Sequence, residues 1–274
     1  MASEPDGRMD VLFETRFSFL GTSGWREQTT TTAETLYEPE RMRQRFELFE
    51  KLTLPSLRDQ SDPDFRHYVL SGRDMPEAQK KTLREMCHDM LGDRADVQFR
   101  KPGPVAQFVT RYTRRTYRKS PRLAQVVLDD DDALSTDYVQ VLRAEAEAAR
   151  AYEHDGLDFL YLTFPRGVTL RFNEDGPPDV FDRNVVNTNL GLALVGPGDT
   201  KRNPFAVAHK MVYRRHPVRV IQTRRPFYVR SLHDYNDSRR QKQVKPFNAK
   251  KIAEAAQYLP CLNNFFGDAL KVAA

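Results

Sequence analysis

The stretch AQVVLDDDDALSTDYVQVL, residues 124–142, decides how the fold is interpreted. An apolar run that is typical of a buried strand leads directly into four consecutive aspartates, residues 129–132. Apolar residues at helical spacing follow within residues 139–149. Four adjacent carboxylates repel one another behind a buried strand unless a positive charge lies among them. The stretch therefore indicates a strand end at which a cation is held.

Strand-like and helix-like patterns alternate on the amino-terminal side of this stretch. Strands are predicted within residues 11–21, 64–72 and 95–99, and the segments between them have helical periodicity. The helix predicted at residues 39–57 contains Pro55, and we expect this proline to end or kink it. Alternation of strands and helices predicts an α/β fold with a mainly parallel sheet flanked by helices.

The carboxyl-terminal half has shorter elements. Residues 158–172 are predicted to form two strands or one long bent strand. Another strand is predicted at residues 189–198, and two short ones near residues 218–222 and 227–232. Asn203 and Pro204 are typical of the N-cap and first turn of a helix, which would carry Val207, Ala208, Met211 and Val212. Because neither a repeat nor a linker is evident, we predict one domain over residues 1–274, with residues 1–10 disordered and a helical tail at residues 241–274.

Composition limits the class of protein. Of 274 residues, 39% are hydrophobic, and 43 basic against 38 acidic residues give a net charge of +5, too small to require a nucleic-acid partner, so we expect none. The basic segments RYTRRTYRKSPR (111–122) and KMVYRRHPVRV (210–220) could face phosphates or be ordinary solvated surface. Two cysteines exclude a disulfide framework and a cysteine zinc site. The sequence contains neither a signal peptide nor a long apolar run. We therefore predict a cytoplasmic protein that can attach peripherally to the inner face of the membrane.

Three loops are predicted to meet at the edge of the sheet where the parallel strands end. GTSGWR (21–26) and SGRDMP (71–76) follow predicted strands, as the four aspartates do. Open α/β sheets bind ligands at this edge. Gly21 would let a ligand approach the backbone, and Trp25 and Arg26 would face it from the same loop, although Trp25 could instead pack in the core.

The aspartates themselves favour a divalent metal. On an extended backbone, Asp129 and Asp131 would point to one side and Asp130 and Asp132 to the other. Two carboxylates about 7 Å apart repel by roughly 2 kcal/mol at an effective dielectric constant of about 20. Oxygen ligands favour Mg²⁺ or Mn²⁺ shared with substrate phosphates. The alternative is that one or two aspartates cap the next helix and the others are solvated, but four in a row favour the metal.

Motifs for other kinds of phosphate chemistry are missing from the sequence. It contains neither the GxxxxGK[ST] pattern of a P-loop nor the GxGxxG pattern of a dinucleotide site. A nucleotide-diphosphate sugar fits better, because a metal would bridge its two phosphates and stabilise the departing nucleoside diphosphate. Arg224, Arg225 and Arg230 could help to neutralise the diphosphate with their guanidinium forks, or could be surface arginines.

Several motifs together resemble one family. VVLDDDDAL resembles the DxD segment of A-type glycosyltransferases. The chain is similar to the bacterial rhamnosyltransferase family through FLGTSGWR, RFELFEKLTLPSLRDQSDPDF, VVLDDDDALSTDYV, NLGLAL and LHDYNDSR. The resemblance implies the A-type fold, a Rossmann-like mainly parallel central sheet with a small antiparallel acceptor-side portion. It also implies a hexosyltransferase-type enzyme that moves a sugar from a nucleotide-diphosphate sugar to a glycan or lipid-linked acceptor.

The resemblance also implies roles for individual residues. Asp129 and Asp131 fill the two DxD positions, so that Asp131 would bind the metal and Asp129 the ribose or the metal, with Asp130 beside the donor. His233 falls where a late histidine ligand is expected, although it could be a hydrogen-bonded loop residue. Asp74 corresponds to the acidic residue that reads the base, although capping of the helix at Pro76 would explain it equally well.

The general base of an inverting transfer is predicted from position alone. A carboxylate must reach the acceptor hydroxyl, with its pKa tuned upward. Asp199, in the turn after the apolar run at residues 189–196, and Asp234 are the candidates; Asp182 competes with them, and His209 could line the acceptor pocket. A retaining reaction would need no such base.

Two other classes of function stay open at this stage. A non-enzymatic module could bind Ca²⁺ through the aspartates and a polyanion through the basic segments. A sugar nucleotidyltransferase could share the fold, but the sequence has no Gly-rich, Lys- or Arg-bearing signature loop near its start. The order of the loops argues against the module, and with the family resemblance our hypothesis is a metal-dependent glycosyltransferase that builds a cell-surface or secreted glycan.

Overall fold

A computed structural model of the chain describes residues 8–21, 32–153, 158–186, 188–233 and 245–267. Within these residues the strands are β1 (Asp10–Phe17), β2 (Arg66–Gly72), β3 (Ala95–Arg100), β4 (Leu123–Val127), β5 (Ala133–Leu134), β6 (Leu160–Thr163), β7 (Arg166–Arg171), β8 (Asp179–Asn184), β9 (Ala193–Gly196), β10 (Val218–Val220) and β11 (Tyr228–Leu232). The helices are α1 (Ala33–Leu36), α2 (Pro39–Leu48), α3 (Leu54–Arg58), α4 (Glu77–Leu91), α5 (Val105–Thr116), α6 (Tyr138–Glu153), α7 (His209–Arg215), α8 (Ala249–Ala256) and α9 (Asn263–Phe266).

Seven strands form the central sheet, in the order β10-β6-β9-β4-β1-β2-β3. The pairs β1–β2, β1–β4, β2–β3 and β6–β10 are parallel, whereas β9 runs antiparallel to both of its neighbours, β4 and β6. The sheet is therefore mainly parallel, which confirms the expected α/β class with a Rossmann-like centre. The carboxyl ends of β1, β2 and β4 lie together at one edge.

A second, smaller sheet holds the aspartates against the end of the chain's last strand. Its order is β5-β11-β7-β8, and β5 pairs antiparallel with β11. Gly167 of β7 leaves room for Tyr228 of β11, because a Cβ at this glycine would lie 2.6 Å from the Tyr228 carbonyl oxygen. Since β5 follows the aspartates directly and β11 ends beside His233, this pairing places the two site segments next to each other. β8 was not predicted, because its sequence DVFDRN is mostly polar.

The helix predicted at residues 39–57 does not end at Pro55, but its regular geometry is interrupted just before the proline. After α2 the chain makes a π-helical turn over Phe49–Thr53 and continues as α3, with Pro55 in its first turn. Proline lacks the N–H that would bind the carbonyl of Lys51, and the Asn264 side-chain amide donates to that carbonyl instead, at 2.8 Å. A contact from α9 therefore satisfies the backbone group that the proline leaves open.

Two other boundaries differ from the sequence prediction. Asn203 does cap a turn, because its Oδ1 accepts from the N–H of Phe205 at 2.8 Å, but the turn is a short 3₁₀ segment, Pro204–Ala206. Val207 is extended, and α7 begins only at His209. At the amino terminus, Met9 is buried and Asp10 begins β1, so order begins before residue 10. No helix in the described part of the chain is long and apolar enough to cross a membrane.

Candidate functional site

The four aspartates form a tight turn at the carboxyl end of β4. The N–H of Asp132 faces the carbonyl oxygen of Asp129 at 3.4 Å, as in a β-turn. The expected extended conformation, with side chains alternating between two faces, is therefore wrong. The chain has to turn here because β4 belongs to the central sheet and β5 to the smaller one. As a result each of the four carboxylates has a different environment.

Asp129 lies at the open side of the turn. Its Oδ2 accepts a hydrogen bond from the Asn189 side-chain amide at 2.7 Å. Arg16 of β1 lies 3.9 Å from its Oδ1, and the two side chains remain 32% and 27% exposed. This is the part of the site where a carboxylate and a cation are both accessible to a ligand.

Asp130 is buried against α2. Its Oδ1 accepts from Arg45 Nη1 at 2.7 Å, and its Oδ2 has no hydrogen-bond partner among the described residues. Burial raises the pKa of Asp130 to about 6, the charges of Asp131 and Asp129 act in the same direction, and Arg45 opposes them. Asp130 is thus a buried carboxyl group with one oxygen still available.

Asp131 contacts two positive or polar partners through one oxygen. Its Oδ2 lies 2.9 Å from His233 Nε2 and 3.0 Å from Arg45 Nη1. Burial works against ionisation, but Arg45 and His233 outweigh it and hold the pKa of Asp131 well below its usual range. The carboxylate is therefore ionised at neutral pH, beside a histidine whose side chain is fully buried.

Asp132 connects the turn to its surroundings. Its Oδ1 accepts from the backbone N–H of Ser231 in β11 at 2.9 Å. Its carbonyl oxygen accepts from the Thr53 hydroxyl of the π-helical turn at 2.7 Å. Burial raises the pKa of Asp132 well above its usual value, and the charges of Asp131 and Asp129 add to this effect. These contacts indicate that Asp132 holds the turn in place.

A buried hydrogen-bond chain from β1 and β2 fixes the end of β4. The Thr15 hydroxyl donates to the Leu128 carbonyl at 2.7 Å, and His67 Nε2 lies 2.9 Å from the same hydroxyl oxygen. Burial lowers the pKa of His67 to about 3, so the imidazole is neutral. Since the hydroxyl hydrogen is already used, Nε2 must carry the proton and donate to Thr15. The chain fixes Leu128, the residue before the aspartates.

Glu14, next to Thr15 on β1, is a buried carboxyl group of a different kind. It is fully buried between Tyr68 and Val127 on the neighbouring strands, and neither side-chain oxygen has a hydrogen-bond partner among the described residues. Burial raises the pKa of Glu14 well above its usual value. The folded protein therefore keeps a proton on Glu14 over a pH range in which the unfolded chain, with a pKa of about 4.3, has released it.

We expect Glu14→Gln to be more stable than the wild type at neutral pH, by about 1–2 kcal/mol. The wild type loses stability as the pH rises above about 4.3, since the unfolded chain then ionises Glu14 and the folded protein does not, with a slope of at most about 1.4 kcal/mol per pH unit. Glutamine does not titrate, so the difference between the two proteins should grow with pH. Urea unfolding of both proteins between pH 5 and 8 measures it; a difference that does not vary with pH would contradict this assignment.

The structure brings together only some of the residues that the sequence singled out. Asp129, Asp130, Asp131 and His233 converge as expected, and Arg230 on β11 lies close enough for its charge to act on Asp132. Trp25, Arg26 and Asp234 lie outside the described residues.

The two predicted positions nearest the other strand ends have different outcomes. A Cβ at Gly21 would lie 2.5 Å from the Gly103 carbonyl oxygen, so this glycine is explained by packing against the chain itself. Asp74 is exposed after β2, where its charge acts on Tyr37 and helps burial to raise the pKa of that tyrosine to about 12. No side chain caps α4, so the helix-cap alternative for Asp74 is not supported.

Asp199 is not part of the site, which corrects its prediction as the base. It lies in the turn after β9, and because β9 is antiparallel to β4, that turn is at the opposite edge of the sheet. The N–H of Gly198 donates to Ser120, just before β4 begins. Asp182, a competing candidate, instead pairs with Arg166 across β7 and β8 at 3.2 Å.

Arg225 does not face the aspartates either. It forms an ion pair with Asp137, with Nη1 2.8 Å from Oδ1, and stacks on the rings of Phe227 and Tyr258. Arg224 is exposed. His209, at the start of α7, lies near Arg183 and Arg230, and burial together with Lys210 and these arginines lowers its pKa to about 4. Of the cationic side chains near the aspartates, Arg16 and Arg45 were not predicted from sequence.

The side chains fit a divalent cation in part. Asp131 Oδ2 and His233 Nε2, which lie 2.9 Å apart at hydrogen-bond distance, would be the two protein ligands. In the described part of the chain, no three histidine, cysteine, aspartate or glutamate side chains are grouped so that they could hold a metal alone. The remaining ligands would have to be phosphate oxygens and water, as is common for Mg²⁺.

Several solved structures resemble this chain at low similarity. They include S. aureus TarS 1-349, with 12% identity, a TM-score of 0.40, and coverage of 81% of this chain and 60% of that one. The same fragment in complex with UDP has 9% identity, a TM-score of 0.40 and coverage of 97% and 70%. A protein from Desulfovibrio desulfuricans G20, described as a "putative nucleotide-diphospho-sugar transferase", has 11% identity, a TM-score of 0.35 and 83% coverage of both chains. This chain thus spans less than two thirds of the first of these structures.

Comparison with curated proteins gave no match. A family model does match, over residues 10–245, and its description is "Putative rhamnosyl transferase". The matched region includes the central sheet, the aspartate turn and His233, and it accounts for most of the chain. The chain therefore belongs to the putative rhamnosyl transferase family, a family of transferases.

Proposed function

We propose that the protein transfers a sugar, rhamnose in the first instance, from a nucleotide-diphosphate sugar to a hydroxyl group of a glycan or lipid-linked acceptor. The observation that carries the proposal is the pair formed by Asp131 and His233 at the carboxyl edge of the sheet, 2.9 Å apart. This edge is where open α/β sheets bind their ligands. Membership of the family supports the reaction type.

The donor would lie over the aspartate turn. Asp131 and His233 would hold Mg²⁺ or Mn²⁺, whose chemistry is to neutralise the charge that develops on the departing nucleoside diphosphate. Asp129, fixed by Asn189 and exposed beside Arg16, is placed to contact the ribose. Arg230 adds a positive charge on the β11 side. Asn189 holds Asp129, and Arg45 and His233 hold Asp131, so we expect binding to require little rearrangement.

The acceptor side of the site is less completely assigned. A general base works best with a pKa near the operating pH, and burial keeps the pKa of His209 at about 4, too low for an efficient base. Asp199 is excluded by its place at the opposite edge of the sheet. Asp234, directly after His233 in the sequence, stays the candidate for an inverting reaction.

Calorimetric titration of UDP, GDP, CDP and dTDP into the protein, with and without Mn²⁺, tests this function. We expect one nucleotide to bind at least tenfold more tightly with Mn²⁺ than without it. If no nucleotide binds in either condition, the proposal is wrong and a non-enzymatic binding module is favoured. Release of pyrophosphate from a nucleoside triphosphate and a sugar phosphate would identify a nucleotidyltransferase instead.

Peripheral binding to an anionic membrane is a further part of the proposal. Arg111, Arg114 and Arg115 are exposed on one face of α5, spaced three and four residues apart, and Arg118 and Lys119 continue the surface just beyond it. Residues 105–122 contain no acidic residue. Basic side chains near an anionic lipid surface contribute about 1 kcal/mol each.

We expect the triple variant Arg111→Gln/Arg114→Gln/Arg115→Gln to bind phosphatidylglycerol vesicles at least tenfold more weakly than the wild type in low salt, because it removes three of these charges. Co-sedimentation with the vesicles measures binding. The variant Lys81→Gln/Lys250→Gln/Lys251→Gln removes the same charge from exposed positions elsewhere and serves as control. Equal loss in both triple variants, or no binding by the wild type, would contradict a membrane-binding face on α5.

A further inference from the structure

Arg45 supplies a positive charge in the middle of the aspartate turn. It lies on α2, far from the aspartates in sequence, and its side chain is only 11% exposed. One nitrogen, Nη1, lies 2.7 Å from Asp130 Oδ1 and 3.0 Å from Asp131 Oδ2. The repulsion between the two carboxylates is therefore compensated by the chain itself, before any metal binds.

The same oxygen of Asp131 serves two functions. Oδ2 lies 3.0 Å from Arg45 Nη1, in an ion pair, and 2.9 Å from His233 Nε2. A carboxylate oxygen has two lone pairs, so a metal held by Asp131 and His233 would take the one that faces the histidine, while Arg45 keeps the other. A dication and a guanidinium would then share one oxygen in a buried site, where charge repulsion is poorly screened.

We propose that Arg45 is the counter-ion of the aspartate turn and makes tight binding of the divalent cation depend on the diphosphate of the donor. The inference rests on the proposed function, since it assumes a diphosphate ligand. The two negative charges of the diphosphate offset the repulsion between the cation and Arg45. Without them, the cation gains two carboxylate neighbours but also meets a positive charge, and binds weakly.

A purely structural role for Arg45 leads to a different expectation. If Arg45 only joined α2 to the turn, its removal would loosen the turn and weaken metal binding. If it is the counter-ion, its removal leaves Asp130 and Asp131 uncompensated, and the metal binds more tightly. The sign of the change in affinity for the metal alone therefore separates the two roles.

The test measures Mn²⁺ binding to the nucleotide-free protein, from the electron paramagnetic resonance signal of free Mn²⁺. We expect Arg45→Gln to bind Mn²⁺ at least tenfold more tightly than the wild type. Arg45→Lys keeps the charge and should resemble the wild type. Arg43→Gln is the matched control, because Arg43 lies on the same helix but pairs with Glu40 and Glu47 at the surface. Unchanged or weaker binding by Arg45→Gln overturns the proposal.

A second measurement applies if Arg45→Gln is poorly folded. Thermal unfolding of each variant with and without Mn²⁺ should show a larger rise in Tm for Arg45→Gln than for the wild type, since a ligand of the folded state stabilises it by an amount that grows with the logarithm of its affinity. An equal or smaller rise overturns the counter-ion role, even where a nucleotide binds to the wild type. A larger rise supports it even if no nucleotide binds, and then only the donor proposal fails.

Discussion

Asp131→Asn is expected to lower the rate of sugar transfer by roughly 1000-fold or more and to remove Mn²⁺-dependent binding of the nucleotide. Asparagine has the same shape but no charge, and Asp131 Oδ2 is the one oxygen that meets both His233 and Arg45. The loss should therefore come from the metal and the diphosphate, with little change in the fold. Calorimetry with the nucleotide that binds to the wild type, and an assay of donor consumption, measure it.

Asp132→Asn is the matched control for this experiment. It changes a carboxyl group to an amide at the adjacent position of the same turn, but Asp132 points to the Ser231 backbone and not to His233. We expect it to bind Mn²⁺ and nucleotide within a few-fold of the wild type. Transfer by Asp131→Asn within tenfold of the wild-type rate would contradict the assignment of Asp131 to the metal.

Much of the fold follows from the sequence because its signals are local. The central strands β2 and β4 carry apolar runs, and the helix α4 carries an apolar stripe with a proline before it and a glycine after it. Parallel pairing follows from the alternation of these elements. The placement of Asp131 at the carboxyl edge of the sheet needs nothing more, since β4 runs directly into it.

The predictions for Asp199 and for the helix at Pro55 differ from the structure for physical reasons that local sequence patterns do not show. The apolar run before Asp199 is fully buried, and the sequence of a fully buried strand does not reveal whether it pairs parallel or antiparallel with its neighbours. Its antiparallel pairing with β4 moves Asp199 to the wrong edge of the sheet. Helix propagation through Pro55 depends on Asn264, which is more than two hundred residues away. Both outcomes depend on tertiary contacts.

The arginines that contact the aspartates could not be predicted from the sequence for a similar reason. Arg45 lies in a helix rich in charged residues, where neighbours such as Arg43 pair locally with glutamates. Nothing in the sequence distinguishes an arginine that reaches the aspartates from one that stays at the surface. The link between Asp131 and His233, in contrast, was implied by the family resemblance, since the two residues are far apart in sequence.

Asp132→Ala is expected to be about 2–3 kcal/mol less stable than Asp132→Asn. Alanine leaves the buried N–H of Ser231 without its acceptor, but asparagine keeps an oxygen at that position. Burial raises the pKa of Asp132 well above its usual value, and asparagine has nearly the same shape without a charge. Urea unfolding of both variants at pH 7 measures the difference.

The same substitution should reach the metal site through the backbone. Ser231 lies on β11, two residues before His233, and its N–H is held by Asp132. Loss of this hydrogen bond in Asp132→Ala should therefore also weaken Mn²⁺-dependent nucleotide binding, by about tenfold. Asp132→Asn should leave that binding unchanged. Equal stability of the alanine and asparagine variants would show that Asp132 does not anchor the turn. A stability loss without any loss of nucleotide binding would show that the position of His233 does not depend on this anchor.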